Sequence, residues 1–411
     1  MRVAALNVAN PGAARQGSLR EHNLGLVLRH VATAERPPSR AGLAAATGLT
    51  RATVSALVDD LIGGALLAEV GPTPRSGAGR PALGLILADQ GPAAVGLEIN
   101  VDYLAVCVVD LTGMVRYRSV QPADLRPLPP QVVLARLAGL AAAACGEAER
   151  QGLTVAGAAL AVPGLVTPQG VVRLAPNLGW RDVDVAAGLA RPIGFRSPLV
   201  VDNEANLAAI GELHAASPGS DNFVYVSGEI GIGAGIVLDG VLFRGARGFS
   251  GELGHVTVAP DGPECRCGAR GCLERYAGQE AILAAAGLAA QGLPHGRAVA
   301  ELADLAAEGD LATRGALTAA GTALGVALAG VVNLLDVDTV VLGGSYAPLA
   351  AWLRPAIERE INRRVLTAAW SPVTVRPARL GPDAAMLGAA GTVVRAILDR
   401  PAGWLAALQN Q

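Results

Sequence analysis

The sequence pattern changes near residue 90, and this change limits the chain to two kinds of structure joined in series. From about Ala93 onward, short apolar runs alternate with long alanine-rich segments, which is typical of βα units. Before that point the pattern indicates three short helices followed by a β-hairpin. Because 411 residues are too many for one ordinary core, we expect a small N-terminal domain and a large α/β body. The apolar runs of the body are 94–99, 104–109, 157–162, 199–201, 223–226 and 339–342.

The small domain should span residues 19–88, after an aperiodic and mobile tail over residues 1–18. Its first helix is followed by two prolines, and Ser39 is then placed to cap a second helix. Gly48 provides the turn, and Thr50 can cap a third helix. The spacing therefore predicts three helices with a tight turn between the second and the third.

A hairpin with a loose, basic loop follows the third helix. Strands around 66–70 and 83–87 flank a loop rich in Gly and Pro. Three helices and such a hairpin form a winged helix-turn-helix, whose third helix meets base edges in the major groove while arginines of the wing can enter the minor groove. The alternative is a dimerisation or protein-docking module with the same elements. The predicted DNA contacts are Arg51, Ala52, Ser55, Arg75 and Arg80.

Charge is divided unevenly between the two parts. Residues 1–85 carry nine Arg and five acidic residues, whereas the remaining residues carry 24 Arg and 30 acidic residues. A basic domain on an acidic body indicates that only the small domain meets a polyanion. The charge pattern therefore favours DNA over a protein-docking partner.

The N-terminus lacks the pattern of a secretory signal, because Pro11, Gly12 and Arg15 interrupt it early. The longest apolar segments are broken by Gly, Asp or Arg, so we expect no membrane insertion. These features predict a cytoplasmic protein whose cysteines stay reduced.

Three of the five cysteines lie within eight residues and predict a metal site. Cys265 and Cys267 are separated by one residue, and Cys272 follows a glycine-containing turn, so that three thiolates can converge on one tetrahedral ion. His255 is the nearest candidate for the fourth ligand. Three Cys and one His favour zinc and leave no open position, so we expect one structural zinc ion per chain. Three unrelated free thiols are the alternative.

Two segments of the body have both a functional and a structural explanation. In the segment 231–235, Gly231-Ile-Gly233-Ala-Gly235, backbone amides can approach a phosphate or a sugar, or the glycines can serve only the packing of a hairpin turn. The segment 202–206, Asp202-Asn203-Glu204-Ala205-Asn206, follows a short strand. Its side chains can bind sugar hydroxyls or abstract a proton, or they can simply cap a helix. The residues alone leave both explanations open.

Taken together, these segments resemble the ROK family of bacterial repressors and sugar kinases. The resemblance extends over nearly the whole chain, including the small domain, and is strongest to the xylose-repressor branch. It rests on motifs in a fixed order: Gly228-x-x-Gly231-x-Gly233-x-Gly235, Gly240, Gly245-x-x-Gly248, Gly251-Glu252-x-Gly254-His255, and Cys265-x-Cys267-Gly-x-x-Gly-Cys272-x-Glu274.

The resemblance implies a two-lobed actin/hexokinase-like (ribonuclease H-like) fold for residues 93–411, with a sugar in the cleft. The first lobe would contain about 93–205 together with the C-terminal helix, and the second lobe about 206–385. The resemblance also implies zinc held by His255 and the three clustered cysteines, with the same histidine facing the sugar. The sugar contacts carried over by position are Asn177, Asn203, Glu204, Glu252, His255 and Glu274.

Two departures from the kinases of the family indicate that phosphoryl transfer has been lost. Their phosphate loop, Asp-x-Gly-Gly-Thr, is matched here by residues 98–102, Glu98-Ile-Asn100-Val101-Asp102, where bulkier residues replace the glycines and a carboxylate replaces the Thr. Glu204 stands at the position of the catalytic Asp. Its extra methylene displaces a base by about an ångström, which costs of order a hundredfold in rate. We therefore assign no catalytic residue and interpret the body as a sugar sensor.

These observations predict a sugar-responsive transcription regulator, a repressor, that binds operator DNA as a homodimer or tetramer. One alternative is an ATP-dependent sugar kinase that carries a DNA-binding domain. A further alternative is a scaffold that docks a membrane transport protein.

Overall fold

The computed structural model of the chain describes residues 16–72, 83–193, 199–215, 221–288 and 296–409. These residues form two compact units. The head unit takes the chain up to Pro92 and again from Val394, and the body unit takes Ala93–Val393.

The head unit has the three helices and the antiparallel strand pair that the sequence predicts. Ser39 Oγ accepts a hydrogen bond from the Gly42 amide, and Thr50 Oγ1 accepts one from the Thr53 amide, so both predicted N-caps are confirmed. Gly48 ends the second helix in the left-handed region, at φ +72°. The elements are α1 (Gln16–Ala32), α2 (Arg40–Thr47), α3 (Arg51–Gly63), the antiparallel pair β1 (Leu67–Pro72) and β2 (Leu83–Leu87), and α13 (Pro401–Gln409).

The C-terminal residues complete the head unit. The Trp404 indole donates to the carbonyl of Gly64 at the end of α3, over 2.8 Å, and Arg29 of α1 forms an ion pair with Asp399. The expectation that the C-terminal helix belongs to the first lobe of the body is therefore wrong for these residues. The difference arises because an alanine-rich apolar helix carries no local signal of which core it joins.

The body unit contains two five-stranded mixed sheets, ordered β10-β6-β3-β4-β5 and β13-β12-β11-β14-β15, and a small sheet β7-β8-β9. The predicted α/β, two-lobed architecture is confirmed. Its strands are β3 (Pro92–Ile99), β4 (Tyr103–Asp110), β5 (Val115–Pro122), β6 (Thr154–Val162), β7 (Leu165–Val166), β8 (Val171–Ala175), β9 (Trp180–Asp184), β10 (Val200–Asn203), β11 (Phe223–Gly228), β12 (Ile232–Leu238), β13 (Val241–Leu242), β14 (Thr339–Gly344) and β15 (Thr374–Pro377). Its helices are α4 (Pro130–Arg150), α5 (Val185–Ile193), α6 (Glu204–Ala215), α7 (Glu274–Ala277), α8 (Gln279–Ala285), α9 (Arg297–Glu308), α10 (Leu311–Leu335), α11 (Tyr346–Arg364) and α12 (Ala384–Asp399), the last of which ends in the head unit, and short 3-10 turns lie at Leu253–His255 and Gly381–Asp383.

Each sheet of the body unit has its own apolar core. Helix α4 packs on the first sheet, and helices α10 and α11 pack on the second. A third group of buried residues joins β6 and β11 to helices α6 and α12. Helix α6 therefore lies where the two sheets approach each other.

The glycine-rich segment 231–235 is strand for most of its length. Gly233 and Gly235 lie within β12 and not in a hairpin turn. A Cβ atom at Gly235 would lie 2.4 Å from the Ala209 Cβ and 2.5 Å from the Ala205 carbonyl oxygen. The packing explanation is therefore supported for Gly235, which lets helix α6 approach the sheet.

Two helices of the body unit have the length and hydropathy of a membrane span. These are α4, with 44% of its most apolar window buried, and α10, with 56% buried. Both bury apolar side chains against the protein core, such as Leu137 of α4 and Leu324 of α10. Packing against the two sheets thus accounts for about half of each apolar window.

We expect the Gly388→Ala substitution to lower the free energy of unfolding of the body unit by about 1–3 kcal/mol, the usual range for overpacking. A Cβ atom at Gly388 of α12 would lie 1.8 Å from the Leu207 carbonyl oxygen of α6. The matched control is Gly139→Ala in α4, where a Cβ would meet nothing within 4 Å. That change should raise stability by up to about 1 kcal/mol, since alanine is the better helix former. Denaturant unfolding measures both, and equal effects would contradict the assigned contact.

Candidate functional site

A polar cavity opens in the body unit beyond the carboxyl ends of β3, β6, β10 and β11. All six residues proposed from the family resemblance to contact sugar lie on its wall. Four carboxyl side chains face it, and none of the described lining residues is Lys or Arg. The lining residues are Asn100, Val101, Pro163, Gly164, Ala175, Pro176, Asn177, Asn203, Glu204, Glu229, Gly231, Ile232, Gly233, Glu252, His255 and Glu274.

Asn203 and Glu204 reach the cavity from the junction of β10 and α6. Asn203 Oδ1 accepts from the backbone amides of Ala205 and Asn206, and its Nδ2 donates to the Gly164 carbonyl. The capping explanation of this segment is therefore correct, and the same residues also line the cavity. Ser227 Oγ of β11 donates to Glu204 Oε1 over 2.7 Å. Hydrogen bonds thus fix both side chains without occupying all of their polar atoms.

On the opposite wall, Asn177 from the turn between β8 and β9 meets Glu274 at the start of α7. Asn177 Nδ2 donates to Glu274 Oε2 over 3.4 Å, and Arg266 donates to Asn177 Oδ1 over 3.2 Å. A Cβ atom at Gly231 would lie 2.6 Å from both Asn177 Nδ2 and Glu274 Oε2. Gly231 therefore leaves room for two of the side chains that line the cavity.

The predicted metal ligands come together beside this wall. One ligand atom from each of His255, Cys265, Cys267 and Cys272 lies within 4.8 Å of all the others. The Cys267 and Cys272 sulfurs are 3.7 Å apart, and Cys265 Sγ is 3.8 Å from His255 Nδ1. Two sulfurs bound to one tetrahedral zinc by bonds of about 2.3 Å lie about 3.8 Å apart. The donor set and its spacing fit a tetrahedral ion.

Two glycines give the cysteine loop its shape. Gly268 and Gly271 have φ values of +93° and +67°, which L side chains rarely adopt. A Cβ atom at Gly271 would lie 1.6 Å from the Ala259 carbonyl oxygen. The resulting turn brings the Cys265 amide to the Ala269 carbonyl, which folds the loop back on itself beside the three sulfurs.

His255 joins the sulfur cluster to the cavity. It ends a 3-10 turn, with Nδ1 towards Cys265 and Nε2 at 4.0 Å from Glu252 Oε2. Burial raises the pKa of the Glu252 carboxyl, and the nearby Glu274 carboxylate raises it further. One short stretch of chain therefore positions two acids and a histidine on the same wall.

Glu204 lines the cavity, and the buried Glu98 lies near enough for the two carboxyl groups to interact. Burial, with the charge of Glu204 nearby, raises the pKa of Glu98 to about 8, and the Tyr103 hydroxyl, which donates to Glu98 Oε1, opposes this shift. Burial raises the pKa of Glu204 to about 7, against the opposing hydrogen bond from Ser227. Asn100 donates to the Tyr103 hydroxyl oxygen. In residues 98–102, which match the phosphate loop of the kinases, the side chains of Glu98 and Asn100 are thus joined through the Tyr103 hydroxyl.

The sequence reasoning missed two polar residues of the cavity wall, Asn100 and Glu229. Asn100 stood out only as a substitution within the phosphate-loop match. Glu229 is an acid inside a glycine-rich turn, which is an unusual placement and was a usable signal.

In the head unit, the predicted contacts at the start of α3 have different exposures. Arg51 and Ala52 are exposed, and Ser55 is half-buried. Val54 and Leu57 of the same helix are buried in the core of the head unit. Arg75 and Arg80 lie outside the described residues.

We expect the body unit to lose stability as the pH rises from 5 to 8. The folded-state pKa values of Glu98 and Glu204 are about 8 and 7, against an ordinary 4.5, so the folded state binds more protons over this range. A tenfold change in an acid dissociation constant corresponds to about 1.4 kcal/mol. The stabilisation by these two carboxyl groups is complete below their ordinary pKa and is lost as the pH rises through their folded-state pKa values. Thermal melting at several pH values checks this. Glu98→Gln should flatten the profile, whereas a Glu264→Gln control on the exposed loop should not.

Comparison with known proteins identifies a family with the same sequence features. The model of the ROK family matches residues 94–396. The xylose repressor of Bacillus subtilis strain 168 is 30% identical over 390 residues, covering 94% of this chain and 98% of the repressor.

Two solved structures are also similar to the chain. A ROK family transcriptional regulator, described as a homolog of the Escherichia coli MLC protein, has a TM-score of 0.76 and 28% identity, covering 95% of this chain and 98% of the regulator. A ROK family glucokinase from Streptomyces griseus, in complex with glucose and AMPPNP, has a TM-score of 0.64 and 27% identity, covering 73% of this chain and 98% of the kinase. The family motifs, the family match and the shared fold agree, and the chain belongs to the ROK family.

Proposed function

We propose that the chain is a sugar-responsive transcriptional repressor that binds operator DNA through its head unit. The observation that carries this proposal is the presence, in one chain, of three N-terminal helices with an antiparallel strand pair and of a carboxylate-rich cavity. The likeness to a xylose repressor extends over 94% of this chain, whereas the likeness to a glucokinase covers 73% of it.

The DNA contacts we propose are Arg51, Ala52 and Ser55 at the start of α3, with Arg75 and Arg80 of the wing. An exposed Arg at this end of a recognition helix can form two hydrogen bonds with a guanine. Helix-turn-helix proteins usually bind two half-sites, so we propose a homodimer or a tetramer in the cytoplasm.

The effector we propose is an uncharged sugar, with xylose the first candidate because of the named relative. Carboxylates and carboxamides accept and donate hydrogen bonds to hydroxyl groups. The proposed contacts are Asn177, Asn203, Glu204, Glu252, His255 and Glu274. The cavity wall contains four Glu and, among its described residues, no Lys or Arg to pair with a phosphate. A phosphorylated sugar would therefore find no cation on the described wall to offset the cost of removing its charge from water.

We also propose that the sulfur and histidine cluster holds one structural zinc ion. His255, Cys265, Cys267 and Cys272 would occupy all four positions, so the ion would stabilise the loop rather than take part in a reaction. His255 would hold the ion through Nδ1 and leave Nε2 on the side of Glu252.

A second candidate function is sugar phosphorylation. Glu204, with its pKa raised to about 7, can accept a proton from a sugar hydroxyl near neutral pH. We favour the regulator because Asn100 and Asp102 stand where the kinases have a glycine and a threonine. An assay of ADP release across aldoses and amino sugars separates the two functions, and rapid turnover would establish the kinase.

We expect purified protein to select a sequence from a random DNA library and to release it when an effector sugar is added. Arg51→Ala should weaken DNA binding by about tenfold or more, in line with the 1–3 kcal/mol of a base contact. Arg150→Ala, on the exposed end of α4, is the control and should bind normally. Glu274→Gln should bind DNA but lose the sugar response. Fluorescence anisotropy measures all four proteins, and the absence of any selected sequence would refute the proposal.

We expect metal analysis of the purified protein to find about one zinc per chain. Cys267→Ser should lose the ion and the sugar response while retaining most DNA binding, because the loop carries Glu274 to the cavity. Cys145→Ser, outside the cluster, should keep its zinc. A wild-type protein without zinc would contradict this part of the proposal.

A further inference from the structure

A second cavity lies in the body unit, with a volume of about 420 Å³. Its wall is mostly apolar, and its size falls within the range of small-molecule sites. The lining residues are Glu229, Gln279, Gly296, Val299, Ala300, Gly344, Ser345, Ala347, Pro348, Gly381 and Pro382.

The inner end of this cavity has the backbone of an anion site. Strand β14 ends in Gly343-Gly344, and helix α11 begins at Tyr346. Gly344 is paired in register with Gly228, at the end of the parallel strand β11. A glycine turn between a strand and a helix N-terminus is the arrangement that binds phosphates in many α/β proteins. The glucokinase with this fold was crystallised with both a sugar and a nucleotide analogue.

In this chain the side chain of Glu229 lies at that position. A Cβ atom at Gly344 would be 2.5 Å from Glu229 Oε1, so the carboxyl group packs directly on the glycine turn. Glu229 is also the one described residue that lines both the polar cavity and the second cavity. Glu229 therefore lies between the proposed sugar site and the glycine turn, which is the side from which a phosphate would have to approach the sugar.

Other acids make the position less favourable for an anion. Burial raises the pKa of Glu229 well above its ordinary value, and the nearby charges of Glu204, Asp102 and Glu98 raise it further. A hydrogen bond with Ser345, at the start of α11, opposes this shift. The carboxyl group thus takes up a helix terminus that favours negative charge and leaves no room there for a phosphate.

We propose that Glu229 excludes nucleotide phosphates from the body unit and separates the second cavity from the sugar cavity. The chain then binds its sugar without responding to ATP. This inference goes beyond the proposed regulation, and it can fail or hold independently of whether sugar releases DNA.

The test is calorimetric titration of the full-length protein with Mg-AMPPNP. Wild-type protein should show no saturable binding at nucleotide concentrations up to several millimolar. Glu229→Ala should bind at least about tenfold more tightly than wild type, because the substitution removes the side chain that fills the position beside Gly344. Glu229→Ser is a second variant, whose side chain is nearly as small as that of alanine but keeps a polar group. It should bind nucleotide as Glu229→Ala does. Glu264→Ala is the control, because the Glu264 side chain is exposed. This variant should show the same lack of nucleotide binding as the wild type.

Two results would overturn the proposal. One is saturable binding of Mg-AMPPNP to wild-type protein at submillimolar concentration, which requires no variant to fold. The other is a Glu229→Ala or Glu229→Ser protein that melts as the wild type does and still binds no nucleotide.

Discussion

Helix α6 approaches strand β12 so closely that no side chain fits between their backbones at Gly235, and its other side meets helix α12 at Gly388. This packing places α6 where the two sheets of the body unit meet, with its first residue, Glu204, in the polar cavity. A displacement of the helix would move Glu204 and break its hydrogen bond with Ser227 of the second sheet. Because packed interiors resist continuous deformation, the shape of the cavity depends on this contact.

The opposite wall of the cavity depends on the loop that carries the three clustered cysteines. His255 connects the sulfur atoms to Glu252, and the same loop leads to Glu274 at the start of α7. A bound ion would keep these acids in position without taking part in chemistry. The cavity therefore has one wall held by close backbone packing and another held by a cluster of metal-ligating side chains. This arrangement suits a site that must recognise a sugar by the positions of its hydroxyl groups.

Local sequence signals predicted much of this structure, because caps, tight turns and ligand spacing act over a few residues. Ser39, Thr50 and the Cys265 loop belong to this class, and the family motifs supplied the six residues on the cavity wall. Contacts between distant segments could not be predicted in this way. The packing of Trp404 on the end of α3 depends on residues 340 positions apart, and the role of Gly235 depends on how closely α6 approaches. Glu229 was missed because its neighbours at Gly344 and Ser345 come from another strand end.

The central claim is that sugar in the cavity changes the affinity of the chain for DNA. Thermodynamic linkage makes this effect reciprocal, since the factor by which sugar changes the DNA dissociation constant must equal the factor by which DNA changes the sugar dissociation constant. The direct measurement is a calorimetric titration of the effector sugar into free protein and into protein saturated with its selected DNA. We predict weaker sugar binding in the DNA complex, by the same factor found in the DNA titrations. Equal sugar affinity in the two states would contradict the account.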